Sequence, residues 1–101
     1  MQFLKHEFLK WLNSRNKNEL VGLTRSSCQC PIANWIKNTH KPVYVSVDSE
    51  TIDMQFVDKM PEPTMNLPSW AKKFVNKVDE YKTYSRTYLN KEECLKILSA
   101  C

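Results

Sequence analysis

Glycine is almost absent from this chain, because Gly22 is the only one among 101 residues. Phosphate-binding loops of the Rossmann and P-loop types need several glycines at fixed spacing, so both are excluded. Turns must instead be made by Asn, Asp, Ser and Pro. Gly22 lies inside the apolar segment 19–24, where it predicts a short strand with a bulge or a close approach of another backbone.

Long apolar runs are also missing. No stretch approaches the roughly 20 residues of a membrane-spanning helix, and the first residues carry charges within their apolar pattern, unlike a signal peptide. We therefore expect a cytoplasmic protein without membrane contact, whose four cysteines are thiols. The hydrophobic fraction of 42% excludes a disordered chain, and the length predicts a single domain over residues 1–101.

Positive charge exceeds negative charge by 4 at neutral pH, but the excess is unevenly distributed. Residues 1–47 carry a net charge of +5, residues 48–62 carry −4, and residues 63–101 carry +3. An acidic segment between two basic ones indicates nucleic acid less strongly than a uniformly basic chain does. It favours a surface of both signs, which suits contact with another protein.

Hydrophobic spacing predicts an α+β fold, with about four helices packed on a small antiparallel sheet of two or three strands. The helices are predicted over residues 2–14, after Cys30, over residues 67–81 and after Asn90. Pro31 suits a first helical position, which makes Cys30 the N-cap, and Asn90 with Glu93 predicts a capping box.

A hairpin is predicted from residues 43–47 and 52–56, and the prolines between 61 and 68 predict an extended connector. The core is predicted from the apolar positions of these elements. Its members are Phe8, Trp11, Trp35, Ile36, Val45, Trp70, Phe74 and Leu98.

Three motifs, taken in order, resemble one class of proteins. They are CPIANWI at residues 30–36, LPSWAKKFVNKVD at 67–79 and EECLKIL at 92–98, and they follow FLKWL at 8–12. In this order they resemble small uncharacterised bacterial and phage-type proteins. The resemblance implies a compact α+β domain, and it brings no activity or catalytic residue with it.

Acidic side chains alternate with apolar ones along the predicted hairpin, and they are Asp48, Glu50, Asp53 and Asp58. An acidic edge strand can dock a basic partner protein, or it can prevent edge-to-edge aggregation. Docking supports the leading hypothesis, a small non-enzymatic accessory or binding protein that acts through protein–protein contacts, with a mobile element as a candidate origin. The identity of the protein partner is open, as is the choice between monomer and homodimer.

Basic side chains near the third predicted helix support the alternative hypothesis, a small nucleic-acid-binding regulator. Lysines and an arginine could contact phosphates while neighbouring tyrosines stack on bases, although lysines on one helix face are equally typical of a solvated surface. The candidate residues are Lys72, Lys73, Lys77, Lys82 and Arg86, with Tyr81, Tyr84 and Tyr88. The discriminating observation is whether these lysines share a surface with Lys5, Lys10 and Lys37.

Two cysteines close to a helix start, Cys28 and Cys30, are candidates for a reactive thiol, because a helix N-terminus favours a thiolate. A zinc site that adds Cys94 and Cys101 is disfavoured by the spacing. A thiol- or metal-dependent activity is therefore the third hypothesis. We expect no catalytic residues, no metal and no cofactor.

Overall fold

The computed structural model describes residues 2–81 and 86–101, which contain four helices and five short strands in the order α1-β1-α2-β2-β3-β4-α3-β5-α4. The helices are α1 (Lys5–Asn13), α2 (Pro31–His40), α3 (Ser69–Tyr81) and α4 (Lys91–Ser99). The strands are β1 (Leu20–Leu23), β2 (Tyr44–Val47), β3 (Thr51–Gln55), β4 (Met65–Asn66) and β5 (Tyr88–Asn90). The four predicted helices and both strands of the predicted hairpin are present.

Helix starts follow the local signals in the sequence. Cys30 is the N-cap of α2, where its Sγ accepts a hydrogen bond from the backbone N–H of Ala33 at 3.4 Å, and Pro31 is the first helical residue. Asn90 and Glu93 form the predicted capping box at the start of α4. By contrast, α1 begins only at Lys5, because Leu4 has extended backbone and gives no side-chain cap.

The α+β class is confirmed, and the strands form two antiparallel sheets rather than one. The first sheet pairs β1 with β5, and the second has the order β2-β3-β4. The second sheet contains the predicted hairpin, with Tyr44 opposite Gln55 and Val47 opposite Ile52. The connector predicted after the hairpin ends in β4, which pairs with the start of β3.

Gly22 has the role predicted from its isolation in the sequence. The register of β1 against β5 shifts between Leu20 and Gly22, which is a bulge or similar irregularity. A Cβ atom at position 22 would lie 2.4 Å from the backbone nitrogen of Pro31. Glycine therefore lets the first sheet pack directly against the start of α2.

The core lies between the helices and the two sheets and is rich in aromatic rings. Every predicted core residue is buried except Trp70, which is half-buried against the core. The ring of Phe8 is central, since its centroid lies 5.1 Å from those of Trp35 and Phe74 and 5.6 Å from that of Trp70. Among the described residues, none of the helices has the length and apolar character needed to cross a lipid bilayer.

Candidate functional site

The predicted acidic residues take separate roles around the hairpin. Asp48 closes the β2–β3 turn, where its Oδ1 accepts hydrogen bonds from the backbone N–H groups of Glu50 and Thr51 at 2.8 and 2.7 Å. These two bonds lower the pKa of the Asp48 carboxyl, because they stabilise the carboxylate. Asp48 is therefore a turn-forming residue as well as a charged one.

The remaining acids have other partners or positions, although Glu50 lies in the same turn as Asp48. Glu50 pairs with Lys72, its Oε2 lying 3.1 Å from the lysine Nζ, and Asp53 accepts a hydrogen bond from the Thr64 hydroxyl. Asp58 lies beyond the opposite end of β3, in left-handed backbone with φ of 56°. A five-residue strand extends about 17 Å, so Asp48 and Asp58 belong to different ends of the second sheet.

The predicted basic residues likewise divide. Lys5, Lys73 and Lys77 lie near Cys101. Burial raises the pKa of the Cys101 thiol, and the positive charges of these three lysines oppose that rise. Lys5 also donates a hydrogen bond to the Cys101 carbonyl at 3.1 Å. We call Lys5, Lys73 and Lys77 the lysine cluster.

Arg86 lies elsewhere, with its Nε donating to the carbonyl of Arg25 at 3.3 Å. Lys37 lies at a different place from the lysine cluster. Its Nζ donates a hydrogen bond to the Cys28 carbonyl, beside the start of α2. Lys10 lines a cavity between α1 and α2. The predictions for Lys82 and Tyr84 lie outside the described residues.

The candidate thiols differ in their exposure. Cys28 is half-buried, whereas Cys30 is buried. Burial raises the pKa of the Cys30 thiol to about 11, which more than offsets the hydrogen bonds from the start of α2. Cys30 is therefore a protonated N-cap at neutral pH. Within residues 2–81 and 86–101, no three His, Cys, Asp or Glu side chains are grouped so as to hold a metal ion.

One residue from each of the three hypotheses reaches a common cavity of about 430 Å³. Asp48, Cys30 and Arg86 line it, and Arg25 and Asp79 complete its charged wall. We call this space the arginine cavity. It lies where the loop between β1 and α2 meets the hairpin turn, the last turns of α3 and Arg86 before β5, so tertiary packing assembles it from four parts of the chain.

Arg25 is the main residue of this cavity that the sequence did not indicate. Its backbone is left-handed, with φ of 56°. Asp79 holds it there through two contacts, since the Arg25 N–H donates to Oδ1 at 2.9 Å and the Arg25 Nε donates to the Asp79 carbonyl at 3.1 Å. The two residues are 54 positions apart, so no local pattern could have paired them.

A second surface feature is apolar and lies at the open end of the hairpin. Val43, Tyr44, Val57 and Met60 are 59, 50, 67 and 87% exposed. We call these four residues the hairpin-end patch. The N–H of Val43 bonds the Gln55 carbonyl, and the chain turns back after β3 so that Glu62 N–H bonds the Met54 carbonyl. These bonds hold the two sides of the patch at the same end of the sheet.

Comparisons with known proteins add no functional assignment. No family model, no curated protein and no solved structure matches this chain.

Proposed function

We propose that this chain is a small non-enzymatic binding protein that docks another protein on the hairpin-end patch. The carrying observation is the exposure of four apolar side chains at one end of one sheet. Exposed apolar side chains grouped in this way mark interaction surfaces, whereas scattered ones need no explanation. Full burial of an exposed Val or Met side chain contributes about 1.5–3 kcal/mol, and because these side chains are already partly covered, docking gains a fraction of that from each.

The partner is a protein segment that presents apolar side chains together with lysine or arginine. Acidic side chains flank the patch, since residues 53–62 contain three acids against one lysine, Lys59. Asp58 is exposed between Val57 and Lys59, and Glu62 is exposed as well. Opposite charge on the partner would guide its approach and fix its orientation, with the apolar contacts supplying most of the affinity.

Burial of Cys30, one of the two candidate thiols, makes it a poor nucleophile and to that extent supports binding over catalysis. The Cys30 thiol is protonated at neutral pH because burial raises its pKa to about 11. A thiol nucleophile acts as its thiolate, so this side chain is poorly suited to attack a substrate.

The test compares capture of proteins from a native host lysate by the full chain, by a Val57→Ser/Met60→Ser variant and by a Leu20→Ser control. Leu20 is 60% exposed on β1, so the control removes a similar apolar group from another surface. We expect a captured protein to be retained by the control and lost with the patch variant. Raising the salt should slow its association, because exposed charges are screened.

Two outcomes would overturn this proposal. One is that the patch variant and the Leu20→Ser control capture the same protein to the same extent, or both fail to capture it. The other is concentration-dependent self-association in analytical ultracentrifugation that the Val57→Ser/Met60→Ser change abolishes, because the patch would then bind a second copy of the chain.

The lysine cluster supports the second candidate function, nucleic-acid contact. Lys5 joins Lys73 and Lys77, which are exposed on α3. Their positive charge is partly balanced, because they lie beside the C-terminal end of α4, where helix carbonyls carry partial negative charge. The test is a mobility-shift assay with nucleic acid. This function predicts that the wild type gives a shift that weakens steeply with salt, that Lys73→Gln/Lys77→Gln removes the shift, and that Lys17→Gln keeps it.

A further inference from the structure

We propose that the arginine cavity is a binding site for a small phosphate-bearing ligand, held between the guanidinium groups of Arg25 and Arg86. This site is independent of the hairpin-end patch. Guanidinium groups bind oxyanions through paired, charge-assisted hydrogen bonds. Two of them match the double negative charge of a phosphate monoester, and a cavity of about 430 Å³ has room for a ligand larger than phosphate itself.

Each guanidinium group is exposed and is tethered through its Nε atom by one hydrogen bond. Arg25 Nε donates to the Asp79 carbonyl at 3.1 Å, and Arg86 Nε donates to the Arg25 carbonyl at 3.3 Å. These tethers leave the terminal nitrogens of each group for other contacts. In the described part of the chain, neither arginine forms an ion pair with a carboxylate. The site thus holds two oriented cationic groups whose charge is not directly paired.

The backbone that carries Arg25 is held in a conformation unusual for its residue type. Left-handed backbone is strained for a residue with a Cβ atom, and glycine avoids that strain. Thr24, which is fully buried, anchors the preceding position: its N–H donates to the Thr87 carbonyl and its hydroxyl accepts from the Thr87 N–H, both at 2.9 Å. These bonds join the end of β1 to the residue before β5, so the backbone positions that carry the two arginines are held next to each other.

The carboxylates around the cavity are directed to other donors. Asp48 Oδ1 accepts from the turn N–H groups of Glu50 and Thr51 and from the Thr51 hydroxyl. Asp79 Oδ1 accepts from the Arg25 N–H. Their negative charge moderates the field of the arginines. The start of α2 lies on the same wall through Cys30, and its positive helix end favours an anion there.

The test titrates inorganic phosphate into the full chain and follows backbone amide chemical shifts, with acetate as a carboxylate arm at equal ionic strength. We expect saturable shifts at residues 24–27, at Asp48 and at Arg86 with phosphate, and weaker ones with acetate. Arg86→Gln should weaken phosphate binding about tenfold or more, because a charge-assisted contact is lost. Lys17→Gln removes the same charge from an exposed turn outside the cavity and should leave the affinity unchanged.

Arg25→Gly separates a binding role from a structural one. Glycine relieves the left-handed backbone at φ of 56° while it removes the guanidinium. We expect this variant to keep the wild-type urea denaturation midpoint and to lose phosphate binding. Shifts that do not saturate, that acetate produces equally, or that survive in both Arg25→Gly and Arg86→Gln would overturn the proposal.

Discussion

Lys72 Nζ lies 3.1 Å from Glu50 Oε2, and this ion pair joins α3 to the hairpin turn. The sequence predicts different functions for the two residues. Lys72 is a candidate phosphate contact, and Glu50 is a candidate contact to a basic partner protein. Their charges offset each other at the surface. One acid of the acidic segment and one lysine of the basic segment therefore pair with each other within the fold, which reduces the charge that either offers to a partner.

This ion pair should contribute little to stability. Both side chains are substantially exposed, and exposed pairs contribute about 0.2–1 kcal/mol. A double-mutant cycle with Lys72→Ala and Glu50→Ala, measured by urea denaturation, should give a coupling free energy in that range that falls as salt is raised. A coupling well above this range that persists at high salt would show that the pair fixes the hairpin on α3.

Gly22→Ala replaces one hydrogen with a methyl group, and we expect it to destabilise the protein more than such a small change usually does. The new Cβ would meet the Pro31 backbone nitrogen at 2.4 Å and its ring carbon Cδ at 2.5 Å. Backbone cannot yield as a flexible side chain does, so we expect a loss of about 1–3 kcal/mol in the free energy of unfolding. Leu20→Ala on the same strand serves as the control and should change it by about 0.5 kcal/mol or less. Equal losses for the two variants would contradict the packing argument.

Local rules in the sequence were sufficient for the starts of α2 and α4 and for the hairpin, but not for α1 and α3, which begin three and two residues later than predicted. The capping box of Asn90 and Glu93, and Pro31 after the cap Cys30, depend on residues within one turn, so their geometry follows from spacing alone. The three-stranded sheet needed more. Its strand β4 has only two residues, and pairing with β3 defines it rather than any pattern of its own.

The candidate site was less predictable because it depends on long-range contacts. Arg25 meets Asp79 across 54 positions, and Arg86 meets Arg25 across 61. Sequence reasoning assigned Asp48, Cys30 and Arg86 to three separate functions. Tertiary packing brings them to one cavity, which no periodicity within a single element could indicate.

Alkaline pH should destabilise the fold through Cys30. Burial raises its pKa from 9.0 to about 11 in the folded state, so the unfolded chain releases this proton at lower pH than the folded one. The protonated Cys30 thiol contributes about 3 kcal/mol to the free energy of unfolding. This contribution is complete below about pH 9 and is lost as the pH rises toward 11. Urea denaturation across this range should show the decline. Cys30→Ser keeps an N-cap oxygen without a titrating thiol and should make the decline shallower, while Cys94, whose pKa burial raises to about 12, keeps contributing to it. An unchanged decline in that variant would assign the loss to other groups, such as Cys94 or Tyr81, whose pKa values burial also raises.

Thiol labelling should follow exposure. Cys28 and Cys101 are half-buried, whereas Cys30 and Cys94 are buried, and burial raises the pKa of Cys94 to about 12. At neutral pH we expect an aromatic disulfide reagent to modify Cys28 and Cys101 first, with Cys30 and Cys94 reacting only on unfolding. Mass spectrometry of the digested product would identify the order. Rapid modification of Cys30 in the folded protein would revive the reactive-thiol hypothesis.

Two tryptophans offer a matched comparison of a satisfied and an unsatisfied indole N–H. Trp70 Nε1 donates to the Phe3 carbonyl at 3.0 Å, whereas Trp11 Nε1 is buried with no hydrogen-bond partner among the described residues. Replacing either indole by benzothiophene keeps the ring shape and deletes the N–H. At position 70 the change should cost about 1 kcal/mol, because the Phe3 carbonyl loses its donor. At position 11 it should be neutral or stabilising, since no bond is lost and a desolvated donor is removed. A loss at position 11 equal to that at position 70 would show that Trp11 Nε1 binds an ordered water in solution, because only a bonded N–H carries that cost.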